Sequence, residues 1–576
     1  MKQVFFLISV LITILLNAQT EVSKAKNELD TYGELLVNIQ ISDWYLAKDF
    51  VNKMSVIAKN GNSVLAYMNK DEYVNFLNMN LPYTAIPKTR NLNSTVATSV
   101  GEMSNWDKYP SYDLFIEMMY QFQTDYPELC KVENIGNSAN GREILVARIS
   151  DNVNEEENEP EFLYTAQMHG NEILTYVLML RFIDYLLSNY GSNTEVTDLI
   201  DNIEIYINPL ANPDGTYAGG NNNVSNSTRF NAEGKDLNRG YPYAESGEEY
   251  YSTEAHEVGI FKTFAQNQDF VMSANIHTGY EVVNYPWDIW TTNDPYGLGY
   301  EIRPHADNDW WIYVSRIYAE KAQEDGTAQG LNSYLNDQDN GITEGGDWSV
   351  INGSRMDYIT YYTNCRETTL ELQDALNGDN TFILDASKLP KYWLANKQAL
   401  IDYMKEVLYG FRGIVTDEIT GNPIEAKVEI IGHDTDNSHV YSVLPVGNYY
   451  RPIYEGNYNV TFSAEGYQSK TVEISVLNNN STVKNVSLLP LNISVSELNS
   501  KNNINIYPIP SSGIINIENI AEYSVLKILN IKGSTVYNNT ITNNSIVLNL
   551  SDLDKGVYTI ELSNNKTIVK KNLILE

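Results

Sequence analysis

Between residues 106 and 410, short apolar runs alternate with longer stretches that repeat apolar residues at helical spacing. The apolar runs are ILVARIS, EFLYTAQ, IEIYINPL, FVMSANIH and TTLELQ. The helical stretches include YDLFIEMMYQFQTDY and ILTYVLMLRFIDYLL. Strands that alternate with helices predict a layered α/β domain with a buried sheet. Functional sites in such sheets gather at the ends of the strands.

The N-terminal part of the chain has a different character. Its first residues, MKQVFFLISVLITILLNAQT, have a Lys at position 2, an apolar stretch and a small residue at Ala18. This pattern predicts a secretory signal peptide over residues 1–18, too short to be a membrane span. Residues 19–105 mix helix-like and strand-like pieces and end in a polar stretch. They predict either a propeptide or an accessory domain that stays attached.

Beyond residue 410 the sequence changes to short alternating strands separated by Gly, Asn and Pro turns. This pattern predicts a small β-sandwich over residues 411–488. A polar linker over 489–502 and a second small β-domain over 503–576 follow. Because the segment 411–488 contains no cluster of metal-ligating residues, we expect a stabilising appendage there and not a second active site.

The composition limits the partners and the compartment. Lys and Arg total 39 against 74 Asp and Glu, a net charge of −35, which argues against nucleic acid and anionic membranes as partners. No segment after the signal peptide approaches the length of a transmembrane helix, so we expect a soluble, secreted monomer. Cys130 and Cys365 permit one disulfide, but their sequence positions do not show whether they pair.

Three residues are candidates for the ligands of a metal ion. His169 and Glu172 follow one apolar run as His-x-x-Glu, and His277 ends another. Two imidazoles and a carboxylate with one position open to water form the ligand set of a catalytic zinc ion. A single His-x-x-Glu is usually a coincidence on the surface, so the triad needs support. The remaining histidines match no such pattern and are expected on the surface: His256, His305, His433 and His439.

Further segments supply that support. Arg229 stands ten residues before Arg239 in STRFNAEGKDLNRGYP, between the second and third candidate ligands. The late strand CRETTLELQ carries two carboxylates, Glu367 and Glu371, on one face. Strand periodicity alone does not choose between these two as a catalytic base.

These segments, together with INPLANPDGTY and HTGYEVVNYPWD, resemble the zinc metallocarboxypeptidase family over residues 106–410, in its regulatory branch of carboxypeptidases E, M, N and D. The segment FRGIVTDEITGNPIEAKV resembles the transthyretin-like domain that follows in that branch. The last block resembles the C-terminal sorting domain of bacterial type IX secretion cargo. The resemblance implies a three-layer α/β/α domain with a mixed, mainly parallel sheet, followed by two small all-β sandwich domains.

The resemblance also implies roles for the catalytic residues. His169, Glu172 and His277 match the ligands of one Zn²⁺ per chain. Glu371 matches the general base, which leaves a structural role for Glu367. Arg229 matches the arginine that stabilises the developing oxyanion.

Three more residues match those that bind substrate. Asn238 and Arg239 match the pair that holds the C-terminal carboxylate of a peptide, which a planar guanidinium binds bidentately. Asp288, in YPWD, matches the acidic residue that gives this branch its preference for C-terminal Arg or Lys. An ordinary turn-capping Asp is the alternative interpretation.

Two positions depart from the branch. Ser349 follows Trp348 where the branch has a Tyr that closes over substrate, and Met356 stands where it usually has Gln. Tyr358, Tyr361 and Tyr362 lie at other offsets. Both departures bear on substrate preference more than on zinc chemistry.

The leading hypothesis is therefore a secreted or cell-surface zinc carboxypeptidase that removes one C-terminal residue, Arg or Lys by preference, from peptides or proteins. Its other expected partner is the secretion machinery that recognises the C-terminal domain. Two alternatives stay open: a zinc amidohydrolase, deacylase or cell-wall peptide carboxypeptidase, and a non-catalytic binding protein on the same fold.

Overall fold

The computed structural model describes residues 19–42, 54–60, 62–88, 96–155, 157–294, 297–374, 385–491, 504–564 and 568–576. The predicted signal peptide and nearly all of the predicted linker lie outside these residues. The chain forms two compact units. The larger extends to Leu488 without residues 466–468, which belong with Leu489–Glu576 to the smaller.

An eight-stranded mixed sheet forms the centre of the larger unit. Its strands, from one edge to the other, are Ile342–Glu344, Glu281–Tyr285, Arg366–Asp374, Phe270–Gly279, Glu161–Ala166, Glu204–Asn208, Glu143–Ile149 and Cys130–Asn137. The third to sixth strands in this order run parallel, and antiparallel strands flank them. Parallel neighbours need long crossovers, which explains the alternation of strands and helices in the sequence.

Helices cover both faces of this sheet. One face carries Tyr112–Asp125, Leu174–Asn189, Thr194–Ile200, Asn308–Ala328 and Leu389–Lys405. The other carries His256–Gln266 and Arg355–Thr363. Strand residues alternate between the two cores, so that Ile205 and Ile207 pack in the first core and Tyr206 packs in the second. This arrangement confirms the predicted three-layer α/β/α fold. Two short helices, Pro213–Thr216 and Gly345–Ser349, lie in the connections.

Residues 19–88, named here the N-terminal module, have a core of their own. A helix over 19–32 precedes a four-stranded antiparallel sheet, and Lys70–Leu77 forms a second helix, begun by a capping box of Asn69 and Glu72. The strands, in their order across the sheet, are Ser55–Asn60, Ser63–Met68, Leu35–Gln40 and Tyr83–Ile86. The following residues Ala97 and Met103 pack instead into the core of the eight-stranded sheet.

Two all-β regions follow. The first holds two four-stranded sheets, made of Gly410–Asp417, Lys427–Ile430, Val440–Tyr441, Asn448–Arg451, Gly456–Ser463, Lys470–Val476, Ser481–Val483 and Val486–Leu488. The second, in the smaller unit, packs a three-stranded and a four-stranded sheet around one core. Its strands are Asn505–Tyr507, Ile514–Glu518, Val525–Leu529, Thr535–Thr540, Ser545–Asn549, Gly556–Ser563 and Ile568–Leu575.

The structure also shows the state of the two cysteines and the position of one histidine. Cys130 and Cys365 are both buried and free, and they lie in the cores on opposite faces of the sheet. The expectation of a surface position for His305 is wrong, because its ring is buried against Trp287 and Trp311. Burial lowers the pKa of His305 to about 3. Among the described residues, no helix combines the length and the apolar character that a membrane span requires.

Candidate active site

The tight turn after the strand Glu161–Ala166 places the first two candidate ligands, His169 and Glu172. The helix that follows begins only at Leu174, so both residues belong to the turn. A side chain at Gly170 would place its Cβ 2.2 Å from the carbonyl carbon of Gly215, so only glycine fits there.

The turn is also held by a strained residue. Gln167 has a φ of +63°, unusual for a residue with a side chain. Its amide donates to the carbonyl of Gly170 at 2.8 Å and accepts from the Thr175 hydroxyl at 2.8 Å. Both bonds fix the segment between strand and helix that carries His169 and Glu172.

His277 lies on the next parallel strand, Phe270–Gly279, and completes a buried cluster with His169 and Glu172. Glu172 Oε1 is 2.7 Å from His169 Nδ1, and Glu172 Oε2 is 3.0 Å from His277 Nδ1. The two Nδ1 atoms are 3.1 Å apart.

The chemistry of this donor set fits a divalent metal. A tetrahedral zinc ion with ligand bonds of about 2.0–2.2 Å would place its donor atoms roughly 3.3–3.6 Å apart, close to what the cluster offers. Two imidazole nitrogens that face each other at 3.1 Å beside a carboxylate are best satisfied by a shared cation. A small outward adjustment of these side chains would accommodate the ion.

Asp236 is a site residue that the sequence interpretation missed. Its carboxylate lies 3.0 Å from His169 Nε2 and accepts from Arg229 Nε at 2.9 Å. A carboxylate in this position fixes the Nε2–H tautomer of the imidazole and leaves Nδ1 free to ligate a metal. Burial alone would raise the pKa of Asp236, but Arg229 and His169 outweigh it and lower the pKa well below its usual range. An Asp two residues before the Asn-Arg pair was the only signal in the sequence.

His277 has a corresponding support in Asn275, whose side-chain nitrogen lies 2.7 Å from His277 Nε2. The Oδ1 atom of Asn275 has no hydrogen-bond partner among the described residues. Interchanging the amide oxygen and nitrogen of Asn275 gives the His277 Nε2–H an acceptor and again leaves Nδ1 free.

Glu371 contributes a further carboxyl group beside this cluster. It lines the same cavity as the three candidate ligands, and its Oε2 has no hydrogen-bond partner among the described residues. Burial raises the pKa of Glu371 to about 7. The alternative base, Glu367, is instead engaged by Arg355 through Nη2 at 3.0 Å and Nε at 3.1 Å. Only Glu371 of the two lines the cavity.

The cationic residues come from one segment, residues 227–239, which borders the cavity. Arg229 Nη1 lies 3.6 Å from Glu172 Oε1, beside the candidate metal ligands. Asn238 and Arg239 also line the cavity, and the Asn238 Oδ1 atom is fixed by the backbone N–H of Arg355 at 2.9 Å.

Asp288 lines the same cavity and is buried. Asn284 Nδ2 donates to Asp288 Oδ1 at 3.3 Å, and the backbone N–H of Asp288 donates to Asp357 at 2.8 Å. Burial raises the pKa of both aspartates. The site therefore contains a carboxyl group about 1% exposed, whose residue is held through both its side chain and its backbone.

The departures from the branch change the aromatic wall of the cavity. Trp348 lines it and stacks edge-on against Tyr280 at 4.9 Å between ring centroids. Within the described part of the chain, the lining of the cavity includes none of the tyrosines at 358, 361 and 362. Met356 is buried with its sulfur 3.9 Å from the Thr369 hydroxyl.

A model of the zinc carboxypeptidase family matches residues 115–399, and one of the secretion system C-terminal sorting domain matches residues 505–576. The chain is 33% identical to human carboxypeptidase D over 66% of its own length and 26% of that protein. It is 31% identical to the human carboxypeptidase N catalytic chain over 64% of its length and 83% of that chain. It thus spans about a quarter of the carboxypeptidase D relatives.

A solved structure agrees on the fold. Carboxypeptidase A from Helicoverpa armigera superposes with a TM-score of 0.50 at 17% identity, over 65% of this chain and 97% of that one. The chain belongs to the zinc carboxypeptidase family. Its sorting domain confirms the predicted localisation, outside the cell or on its surface.

Proposed function

We propose that this protein is a zinc-dependent carboxypeptidase that hydrolyses the last peptide bond of peptides or proteins. The observation that carries the proposal is the placement of Glu371 in one buried cavity with the His169, Glu172 and His277 cluster and with Arg239. Metal ligands, a carboxyl group that can take a proton and a guanidinium for a terminal carboxylate are the parts that exopeptidase chemistry requires.

One Zn²⁺ held by His169, Glu172 and His277 would act as a Lewis acid toward the scissile carbonyl and lower the pKa of a bound water. Glu371 accepts a proton from the attacking water and returns it to the leaving amine. A pKa near 7 suits a group that must both take and give a proton at neutral pH.

Arg229 stabilises the charge that develops on the carbonyl oxygen. Its guanidinium is held in place by the 2.9 Å bond to Asp236, so little reorganisation accompanies the reaction. Asn238 and Arg239 bind the substrate's terminal carboxylate, which restricts cleavage to the last residue.

Asp288 supports a preference for C-terminal Arg or Lys. It is the carboxyl group of the cavity that neither the metal cluster nor the proposed base uses. A cationic side chain that reaches Asp288 would gain a charge-assisted hydrogen bond in a buried setting. The net charge of −35 also favours cationic substrates.

One assay tests the activity and the preference together. Peptides that differ only in a C-terminal Arg, Lys, Phe or Ala are incubated with the zinc-loaded protein, and each has a C-terminally amidated control. We expect Arg and Lys to be released fastest, no release from the amides, and loss of activity after chelation. Release from amidated or acylated compounds would favour the amidohydrolase alternative, and equal rates on Phe and Arg ends would remove the role of Asp288.

A further inference from the structure

The side-chain amide of Asn238 is held from outside its own segment. Its Oδ1 atom accepts from the backbone N–H of Arg355 at 2.9 Å. That N–H is the first of the helix Arg355–Thr363 and therefore has no partner inside the helix. The backbone N–H of Asn238 in turn donates to Asp236 Oδ1 at 2.9 Å. Both the backbone and the side chain of Asn238 are therefore fixed.

The bond to Arg355 decides which end of the amide faces the cavity. Only an oxygen accepts from an N–H, so Oδ1 faces Arg355, and the two Nδ2 hydrogens are left for the cavity that Asn238 lines. With the amide turned the other way, Nδ2 would meet the Arg355 N–H donor to donor, and Oδ1 would face a substrate carboxylate. Each of these contacts would leave a buried polar group without its hydrogen bond.

The side chain of Arg355 anchors this N–H to the central sheet. Its Nε and Nη2 atoms donate to the two oxygens of Glu367 at 3.1 and 3.0 Å, and both residues are at most 2% exposed. Glu367 also accepts from the hydroxyl of Ser273, its partner on the adjacent parallel strand, at 2.8 Å. The same two strands carry His277 and Glu371 four residues further on. The ion pair therefore connects the start of the helix to the strands that carry a candidate ligand and the proposed base.

The residues before the helix bring its start against Arg239. Gly353 has a φ of +77°, and a Cβ there would lie 2.7 Å from the carbonyl oxygen of Arg239, so only glycine allows this approach. The Gly353 carbonyl accepts from the Tyr241 N–H at 3.2 Å. The Ser354 hydroxyl begins the helix by accepting from the Asp357 N–H at 3.2 Å. These contacts fix the position of the first helical N–H relative to the proposed carboxylate site.

We propose that Arg355 is a positioning residue for the terminal carboxylate of the substrate. Its ion pair with Glu367 holds its backbone N–H in place, and that N–H orients Asn238 so that Nδ2 donates to the carboxylate. The proposal rests on the function proposed above and adds a residue that touches no substrate. A misplaced amide weakens binding of the substrate and of the transition state equally, so KM rises and kcat does not change.

Arg355→Pro tests the role of the N–H, because proline has none to donate. The first helical position accepts proline, and the φ and ψ of Ser354, −71° and 151°, suit a residue before proline. The variant also carries Glu367→Gln, which leaves no unpaired buried charge. Its matched control is Arg355→Met with Glu367→Gln, which lacks the ion pair as well but keeps the N–H.

We expect KM for a peptide ending in Arg to be about tenfold higher in the proline variant than in the methionine variant, as for loss of one hydrogen bond to a charged group. The value of kcat should change by less than about twofold. KM of the methionine variant should itself exceed that of the unaltered chain by about threefold, because Asn238 is less well preorganised. Adding Asn238→Ala to both variants should remove the difference between them, because the N–H then has no amide to orient.

Equal KM values for the proline and methionine variants would overturn the proposal, and so would a difference that persists with Asn238→Ala. A methionine variant with the KM of the unaltered chain would overturn the part assigned to the ion pair. If the proline variant does not fold, hydrogen exchange of the Arg355 amide replaces it. That amide should exchange about tenfold faster in Asn238→Ala than in the unaltered chain, and equal rates would overturn the proposal.

Binding without cleavage separates this proposal from the proposed function. With Glu371→Gln added to each variant, calorimetry with the same peptide gives a Kd that should follow the pattern expected for KM. If the unaltered, zinc-loaded chain binds the peptide but cleaves none, the proposed function fails, and the Kd values still decide the role of Arg355. No binding of the peptide by the unaltered chain would overturn both.

Discussion

His277 and Glu371 lie directly opposite each other on adjacent parallel strands, in the last regular pair before a break in register. Their neighbours Ile276 and Leu370 pair one position earlier and point into the opposite core. Strand alternation therefore places a candidate metal ligand and the proposed catalytic base on the same face, at the edge where parallel sheets gather their sites.

Glu371→Gln should abolish peptide cleavage while zinc remains bound. The amide keeps the shape of the side chain but cannot accept and return a proton, a contribution worth roughly 10²–10⁴-fold in rate. The checks are kcat on a peptide ending in Arg and zinc content by elemental analysis. Loss of zinc together with activity would assign Glu371 to the metal and not to proton transfer.

Glu367→Gln is the matched control for that prediction. Glu367 forms a buried ion pair with Arg355, so removing its charge leaves a buried guanidinium uncompensated. We expect a loss of stability of about 3–5 kcal/mol with kcat of the folded fraction retained. If Glu367→Gln lost kcat and Glu371→Gln kept it, the choice between the two carboxylates would be reversed.

Asp236→Asn should weaken zinc binding without removing a ligand. The amide can no longer hold the His169 Nε2–H as a carboxylate does, and changes of this kind cost about 10–100-fold in metal affinity. Competition with a chromophoric chelator measures the change. An unaltered zinc affinity would show that Asp236 serves Arg229 and not His169.

The sequence predicted a layered α/β domain because strand and helix periodicities are local properties, and the resemblance added the three layers and supported the candidate ligand triad. It did not show how the turn before the helix Leu174–Asn189 is held, because Gln167 and Gly170 hold it through contacts to residues some 45 positions away. It missed Asp236 for the same reason, since a carboxylate that orients an imidazole has no fixed spacing from it.

The polar residues His305 and Glu34 show a second limit of sequence reasoning. Nothing near His305 in the chain indicates that Trp287 and Trp311 enclose its ring. Likewise, the pattern of residues 19–105 predicted a domain but not its contact with the site. Such contacts join residues nearly 200 positions apart, as Glu34 and Arg229 are, and only the folded chain shows them.

The proposed preference for Arg and Lys should depend on pH through Asp288. Burial raises the pKa of Asp288 to about 6, so its carboxyl group is neutral below that pH and ionised above it. Only the carboxylate attracts a guanidinium. We expect the ratio of kcat/KM for Arg-ended over Leu-ended peptides to rise as pH increases from 5 to 7. Asp288→Asn should give a low ratio that is flat over this range, and a pH-dependent ratio in that variant would exclude Asp288 as the titrating group.

Asp307 should make the stability of the interface between the α/β domain and the first β-sandwich depend on pH in the acidic range. Its buried carboxylate accepts from Arg451 Nη1 at 2.7 Å and from Arg366 Nη2 at 2.9 Å. Burial alone would raise the pKa of Asp307, but the two guanidinium groups outweigh it and lower the pKa well below the usual range. A depressed pKa in the folded state stabilises the fold above the unfolded-state pKa of about 3.9, and this stability is lost as pH falls below that value.

Asp307→Asn should therefore cost about 3–5 kcal/mol at neutral pH, because Arg366 stays buried without its acidic partner and Arg451 keeps only Asp434. The difference from the unaltered chain should begin to shrink as pH falls below about 4, where the aspartate of the unfolded chain binds a proton and that of the folded chain does not. Urea unfolding followed between pH 3 and 7 measures both. Asp309→Asn, two residues along and exposed, is the control and should cost less than about 1 kcal/mol. Equal losses in the two variants would show that the buried network does not hold the sandwich to the α/β domain.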